Sequence, residues 1–361
     1  MTTRGYQKRA CAVVLLKHVK SPIKLAREML LRGGRNGHHG EKENAFKESH
    51  SESESAQGHL CLGGETAERL AKAWGLEMVD KDYFWTKKRW QQHRRGLKKD
   101  HDQTAVGGHL VDIGADFDDS GFVSNGDDWD GIEYLPQGTT GCVALDQTGM
   151  ICVATSTGGM TNKLPCRIGD TPTIGAGFWA EQWNDAPLEW PFRTPTAPFS
   201  IIRDSMYNLG RLLETCLPQL NSYSALPSSA QDLFNKLTSQ SQEEKLHAVA
   251  VSGTGNGDSF LKLSAARTVG AIVRFSYPSV PPRTLASAFN QIVGPGGEMQ
   301  RSSGDQWGET GEGEGGMIGI ELKGRKANVC WDFNCGGMFR CWGGSSGTTY
   351  VGVFREEEVA K

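Results

Sequence analysis

The chain has 361 residues, 37% of them hydrophobic and 22% charged, which is enough apolar surface for a folded core and excludes a wholly disordered protein. Its 39 Lys and Arg stand against 42 Asp and Glu, a net charge of −3, so any attraction to nucleic acid or an anionic membrane has to come from a local patch. No run approaches the ~20 apolar residues of a membrane span, and Ala10–Leu16 is too short for a signal peptide, so a soluble, cytoplasmic protein without a membrane partner is expected.

In chain order, Ala10–Leu16 reads as a short strand. The spacing of Ile23 to Leu31 predicts a helix, with Ser21 as N-cap and Pro22 at the first helical position. Residues 33–58 turn to Gly, His, Glu and Ser and are expected to form a disordered insertion. The irregular spacing of His38, His39, His50 and His59 there argues against a metal site. A short strand is predicted at His59–Leu62. An amphipathic helix follows over Glu65–Trp74 on Ala67, Leu70, Ala71 and Trp74, closed by Gly75. The stretch from Tyr83 to Lys99 interleaves Lys87, Lys88, Arg89, Arg94 and Arg95 with Phe84, Trp85 and Trp90. A solvated helix face is the simpler reading, and a nucleic-acid surface is the alternative. Residues 101–138 hold nine Asp or Glu and no Lys or Arg, the composition of an acidic linker.

From Thr139 the pattern changes. Thr139–Asp146 and Met150–Thr155 predict a hairpin around Gln147-Thr148-Gly149. It leads into Ser156-Thr157-Gly158-Gly159 and Arg167-Ile168-Gly169-Asp170. The tract 182–247 reads as an insertion with a helix over Arg203–Leu217 and a break at Leu226–Ser229. Ala248–Ser252 is a strand entering Gly253-Thr254-Gly255-Asn256-Gly257-Asp258, and one helix is expected from Phe260 to Val273. A last hairpin pairs Gly316–Glu321 with Ala327–Phe333. The 46 glycines, about 13% against a usual ~7%, cluster in these motifs and mark tight turns or close backbone approach. Nine cysteines without a CxxC pair speak against a disulfide framework or zinc ribbon and for small core residues.

Strand, Gly-Thr-Gly-x-Gly-Asp and helix would suit a bound phosphate, yet there is no Gly-Lys-[Ser/Thr] and no dinucleotide glycine spacing. What remains is a set of oriented N–H donors beside the Thr254 hydroxyl, which suits an oxyanion. Taken together, the motifs supply hydroxyls at Thr139, Thr157 and Thr254, a cation at Arg167 and an anion at Asp170. A threonine hydroxyl is a poor nucleophile without a base, and no His lies in these motifs. Cleavage of the chain between Gly138 and Thr139 would free an α-amine with a reference pKa of ~7.7–8.0 on the nucleophile's own residue.

The run Gly138–Asp146, the run Ala154–Pro172, Gly175-Ala176-Gly177, Val251–Asp258 and Trp331–Arg340 closely resemble the plant-type L-asparaginase/isoaspartyl peptidase family of N-terminal nucleophile hydrolases. The resemblance implies an α+β fold, a four-layer αββα sandwich, made as a precursor that cuts itself into an α portion, 1–138, and a β portion, 139–361. It implies hydrolysis of the side-chain amide of asparagine or of the isopeptide bond of β-aspartyl peptides, releasing L-aspartate. Thr139 would be the nucleophile, Thr157 would hydrogen-bond near it, and Thr254 with the Gly255 N–H would hold the oxyanion. Arg167 would bind the substrate carboxylate and Asp170 its ammonium, with the backbone near Gly257 helping. A homodimer of processed αβ units is implied as well. The family's His-Gly-Gly-Ala-Gly type opening and sodium-binding loop are not found before Cys11, so no metal or cofactor is expected, and a truncated, inactive homologue is an alternative. Cys166 stands where the family usually has Gly. Gly138, where glycosylasparaginases and threonine aspartases usually have Asp, favours the isoaspartyl peptidase branch.

Overall fold

A computed structural model of the chain describes residues 1–4, 7–33, 55–104, 138–184, 246–276, 283–344, 346–355 and 359–360. Strands β1 (Thr2–Arg4), β2 (Gln7–Arg9) and β3 (Ala12–Val14) lead into helix α1 (Pro22–Arg32). Strand β4 (Cys61–Gly63) then runs into helix α2 (Gly64–Ala73), and α3 spans Lys87–Thr104. The hairpin β5 (Thr140–Leu145) and β6 (Ile151–Ser156) is followed by β7 (Phe178–Asn184) and β8 (Leu246–Gly255). Helices α4 (Gly257–Leu263), α5 (Ala265–Phe275), α6 (Leu285–Val293) and α7 (Glu298–Ser302) precede strands β9 (Gly315–Lys323) and β10 (Lys326–Phe333). Strands β11 (Arg340–Gly343) and β12 (Thr349–Gly352) pair near the end.

The fold is α+β. One four-stranded sheet runs β2-β1-β6-β5 and a second runs β10-β9-β8-β7, and every pairing within them is antiparallel. Strand β8 lies inside the second sheet and is buried on both faces. Ala248 and Ala250 join Ile151, Val153, Phe178 and Leu322 between the two sheets. Val249 and Val251 point the other way, into a cluster with Phe260, Val269, Leu285, Phe289 and Met317 under α4, α5 and α6. The period of two along a strand explains why this run is apolar throughout. Burial of each large side chain in this layer contributes roughly 1.5–3 kcal/mol. The parallel pair β3-β4 carries a separate small core, with Leu25 of α1 against Ala67 and Ala71 of α2 and with Met29 against Leu70.

The local signals act as read. Pro22 opens α1, and α2 closes with the Leu76 N–H donating to the Ala71 carbonyl (2.9 Å) and the Gly75 N–H to that of Lys72 (3.1 Å), a Schellman pattern. Other boundaries move. Of the expected 33–58 insertion, Gly33 caps α1 and Ala56 is buried against Met29 and Leu70; residues 34–54 lie outside the described residues. Helix α3 runs four residues into the expected linker 101–138, whose residues 105–137 also lie outside. The 182–247 insertion is shortened at both ends. Gln182, Trp183 and Asn184 belong to β7 and Leu246 and His247 to β8, paired residue by residue. Glu181 is fully buried and pairs with Arg274 at 2.7 Å and Arg267 at 3.4 Å, which lets a charged residue sit on the buried face of β7. The expected helix Arg203–Leu217 and the break at Leu226–Ser229 lie outside the described residues. The single helix expected from Phe260 to Val273 is two, broken at Ser264, whose φ of +45° is left-handed.

Candidate active site

Thr139 immediately precedes β5 and is half-buried. Its position follows from how closely β5 approaches β8. A Cβ on Gly141 would lie 2.0 Å from Ser252 Oγ, so glycine lets the strand carrying Thr139 lie this near β8. Thr139 Oγ1 is 3.5 Å from Thr171 Oγ1, and the Thr171 carbonyl accepts the Thr155 hydroxyl at 2.9 Å. Three hydroxyl-bearing residues thus meet where β5 and β6 open.

The segment after β6 folds into a tethered loop. The Gly159 N–H donates to Thr157 Oγ1 (3.1 Å), and Lys163 Nζ donates to the carbonyls of Gly158 (3.0 Å) and Met160 (3.3 Å). Burial, and then the Arg167 guanidinium, lower the pKa of that ammonium. Asn162 fastens the loop to α3, donating from Nδ2 to the His93 carbonyl (3.2 Å) while its Oδ1 meets His93 Nδ1. Cys166 sits at φ +66°, a conformation that favours glycine.

Arg167, Asp170 and Gly257 form one end of the site. A Cβ on Gly257 would stand 2.6 Å from Asp170 Oδ1 and 3.0 Å from Arg167 Nη2, so the start of α4 is pressed against both charged groups. Arg167 and Asp170 do not pair with each other. Arg167 Nη2 reaches Asp258 Oδ1 at 3.2 Å instead. Arg167 Nε and Asp170 Oδ2 are buried with no hydrogen-bond partner, leaving a donor and an acceptor unfilled at one place. Burial raises the pKa of Asp170; its own backbone and that of Thr171 oppose this, then Arg167, while Asp258 adds to it.

Gly138, Thr139, Thr157, Arg167, Asp170, Gly255 and Gly257 all line one cleft of about 730 Å³. That volume suits a small molecule. Thr254 is not among its lining residues, and its hydroxyl is buried without a partner one residue behind Gly255. Sequence reasoning leaves out Thr155, Thr171 and Asp258, which line the cleft too. Thr171 and Asp258 lie inside motifs already singled out, one beside Asp170 and the other beside Gly257. Among the described residues no group of His, Cys, Asp and Glu is arranged to hold a metal ion, and no helix is long and apolar enough to cross a membrane.

The Asparaginase family profile matches residues 52–186, a span that contains Thr139, Thr157, Arg167 and Asp170. The chain is similar to the isoaspartyl peptidase of Escherichia coli, 29% identical over 300 residues, which cover 83% of this chain and 61% of that protein. The isoaspartyl peptidase of Salmonella typhimurium is 28% identical over 82% of this chain and 62% of its own length. A plant-type L-asparaginase of Pyrobaculum calidifontis is 30% identical over 49% of this chain and 43% of its own. The resemblance read from the motifs is borne out, and the chain spans about three fifths of the length of the first two relatives.

Proposed function

We propose that this protein is an autoproteolytic threonine amidohydrolase that cleaves the side-chain amide of L-asparagine, the isopeptide bond of β-aspartyl peptides, or both. The observation that carries the reading is the convergence of Thr139, Thr157, Arg167, Asp170, Gly255 and Gly257 on one cleft. In the processed protein the Thr139 α-amine takes the hydroxyl proton, and Oγ1 attacks the substrate's β-carbonyl carbon. The negative charge then developing on the carbonyl oxygen is held by the Gly255 N–H and the Thr254 hydroxyl, which has no other hydrogen-bond partner. The amine returns its proton to the leaving nitrogen, which departs as ammonia or as the amine of the released residue. Water then hydrolyses the Thr139 ester and frees L-aspartate. Arg167 and Asp170 orient the substrate by a charge-assisted fork to its carboxylate and a bond from its ammonium. Thr157 and Thr171 hold the nucleophile's surroundings.

The reading includes the αββα sandwich, supported by two stacked sheets with α5 and α6 outside one of them. It takes the cut between Gly138 and Thr139 as the boundary of an α and a β portion, with processed units pairing as a homodimer in the cytoplasm. Hydroxyl, amine and oxyanion donors complete the chemistry, so the reading calls for no cofactor. The test is intact mass and N-terminal sequencing of the purified chain beside Thr139→Ala. Two fragments, one starting at Thr139 and absent from the variant, are expected, together with aspartate release from asparagine or a β-aspartyl dipeptide. A folded wild-type chain that stays whole and inactive overturns the reading.

A further inference from the structure

Helix α3 lies against the bond that the reading above has the chain cut. The Thr86 hydroxyl accepts the Arg89 N–H at 3.3 Å, fixing the first turn. Arg89 Nη1 donates to Gln92 Oε1 at 3.0 Å, and Gln92 is itself buried. With one arm of the fork so held, Nη2 lies 3.3 Å from the position a Cβ on Gly138 would take. The helix is anchored here independently of Arg89. Asn162 of the Gly158-Gly159 loop bonds His93 and packs so closely on the next turn that a Cβ on Gly96 would be 2.0 Å from its Nδ2.

This placement matters because the uncut chain lacks the α-amine that serves in hydrolysis. Self-cleavage begins when Thr139 Oγ1 adds to the Gly138 carbonyl carbon and puts negative charge on that carbonyl's oxygen. The carbon–nitrogen bond to Thr139 then breaks, the hydroxyl proton passes to the departing nitrogen, and an ester joins Gly138 to Thr139 Oγ1. Water hydrolyses it to the Gly138 carboxylate and a free Thr139. Both the oxyanion and the final carboxylate form on Gly138, the residue Arg89 faces, and a guanidinium remains charged throughout the accessible pH range. We infer that Arg89 positions the Gly138 carbonyl for self-cleavage and stabilises the negative charge formed on it, an inference that rests on the proposed self-processing.

The experiment follows freshly purified full-length wild type, Arg89→Ala and Arg89→Lys over time and measures the fragment beginning at Thr139 by intact mass. Arg89→Ala should slow its appearance about 100-fold, the low end for loss of one oxyanion donor, and Arg89→Lys should recover part of the rate. Because the Arg89 side chain is solvent-exposed, millimolar guanidinium should speed cleavage of Arg89→Ala and leave wild type unchanged, which a packing role would not produce. Wild-type cleavage with an equal rate in Arg89→Ala overturns the inference alone. So does a slowed Arg89→Ala that neither lysine nor guanidinium restores. A wild-type chain that never cuts overturns the self-processing reading and this inference with it.

Discussion

Replacing Gly257 by alanine should disable substrate binding while leaving the fold standing. The added Cβ would lie 2.6 Å from Asp170 Oδ1, 3.0 Å from Arg167 Nη2 and 3.5 Å from Asp170 Cγ. Ordinary van der Waals separation requires the carboxylate to retreat by about 0.8 Å. Asp170 has little freedom to do so, being 7% exposed, with its own carbonyl accepting the Thr173 N–H at 2.8 Å. The displacement is therefore shared with Arg167, and the distance between the two charged anchors changes. A misplacement near 1 Å costs about 100-fold in rate, or about 2.7 kcal/mol of transition-state stabilisation. Gly257 begins α4, where alanine is a better helix former than glycine, so the melting temperature should fall little. The assay is kcat/KM for asparagine and for a β-aspartyl dipeptide, with Tm measured in parallel. A kcat/KM within a factor of three of wild type would refute the argument that these contacts set the substrate's place.

Three further outcomes follow from the same geometry. Thr254→Val removes a hydroxyl that is buried without a partner, so chemical denaturation should show stability unchanged or improved, while kcat falls by ~100- to 1,000-fold; an unchanged kcat would remove Thr254 from the oxyanion role. Burial raises the pKa of Asp170 above its value in the unfolded chain. The folded state therefore holds that proton to higher pH, and stability falls as pH rises from the ordinary aspartate range through the raised value. Asp170→Asn should gain Tm over wild type above that window and not below it, and wild-type kcat/KM should drop as Asp170 protonates; a Tm difference independent of pH would contradict this. Cys166→Gly should raise the unfolding free energy by about 1 kcal/mol, because a side chain at φ +66° is strained; urea melts showing no gain would place the strain elsewhere.

The elements legible in the sequence are those whose signal is local. Pro22 at the start of α1, the apolar stripe and Gly75 of α2, and the turn Gln147-Thr148-Gly149 between β5 and β6 each act within a few residues, and each is found where expected. The run Ala248–Val251 is legible as a strand because both its faces are covered. Strand β7 escapes, since Glu181 and Gln182 read as surface residues until Arg267 and Arg274 are brought up from α5 to neutralise Glu181. Strands β1 and β2, Thr2–Arg4 and Gln7–Arg9, show no apolar alternation and are strands because they join the sheet beside β6. The break at Ser264 is likewise invisible in an uninterrupted helical pattern.

For the site, the sequence by itself determined the chemical inventory. Hydroxyls at Thr139, Thr157 and Thr254, a cation at Arg167, an anion at Asp170 and glycines at 255 and 257 are properties of motifs a few residues long. Only the tertiary structure decided which of them share a space and with whom. Arg167 turns to Asp258 and leaves Asp170 Oδ2 unfilled, Thr171 comes up to Thr139, and Arg89 comes to Gly138 from a helix about fifty residues earlier in the chain. Such partners are set by the stacking of two sheets and the docking of α3 on the Asn162 loop. Those contacts join residues far apart in sequence, and no periodicity or local spacing encodes them.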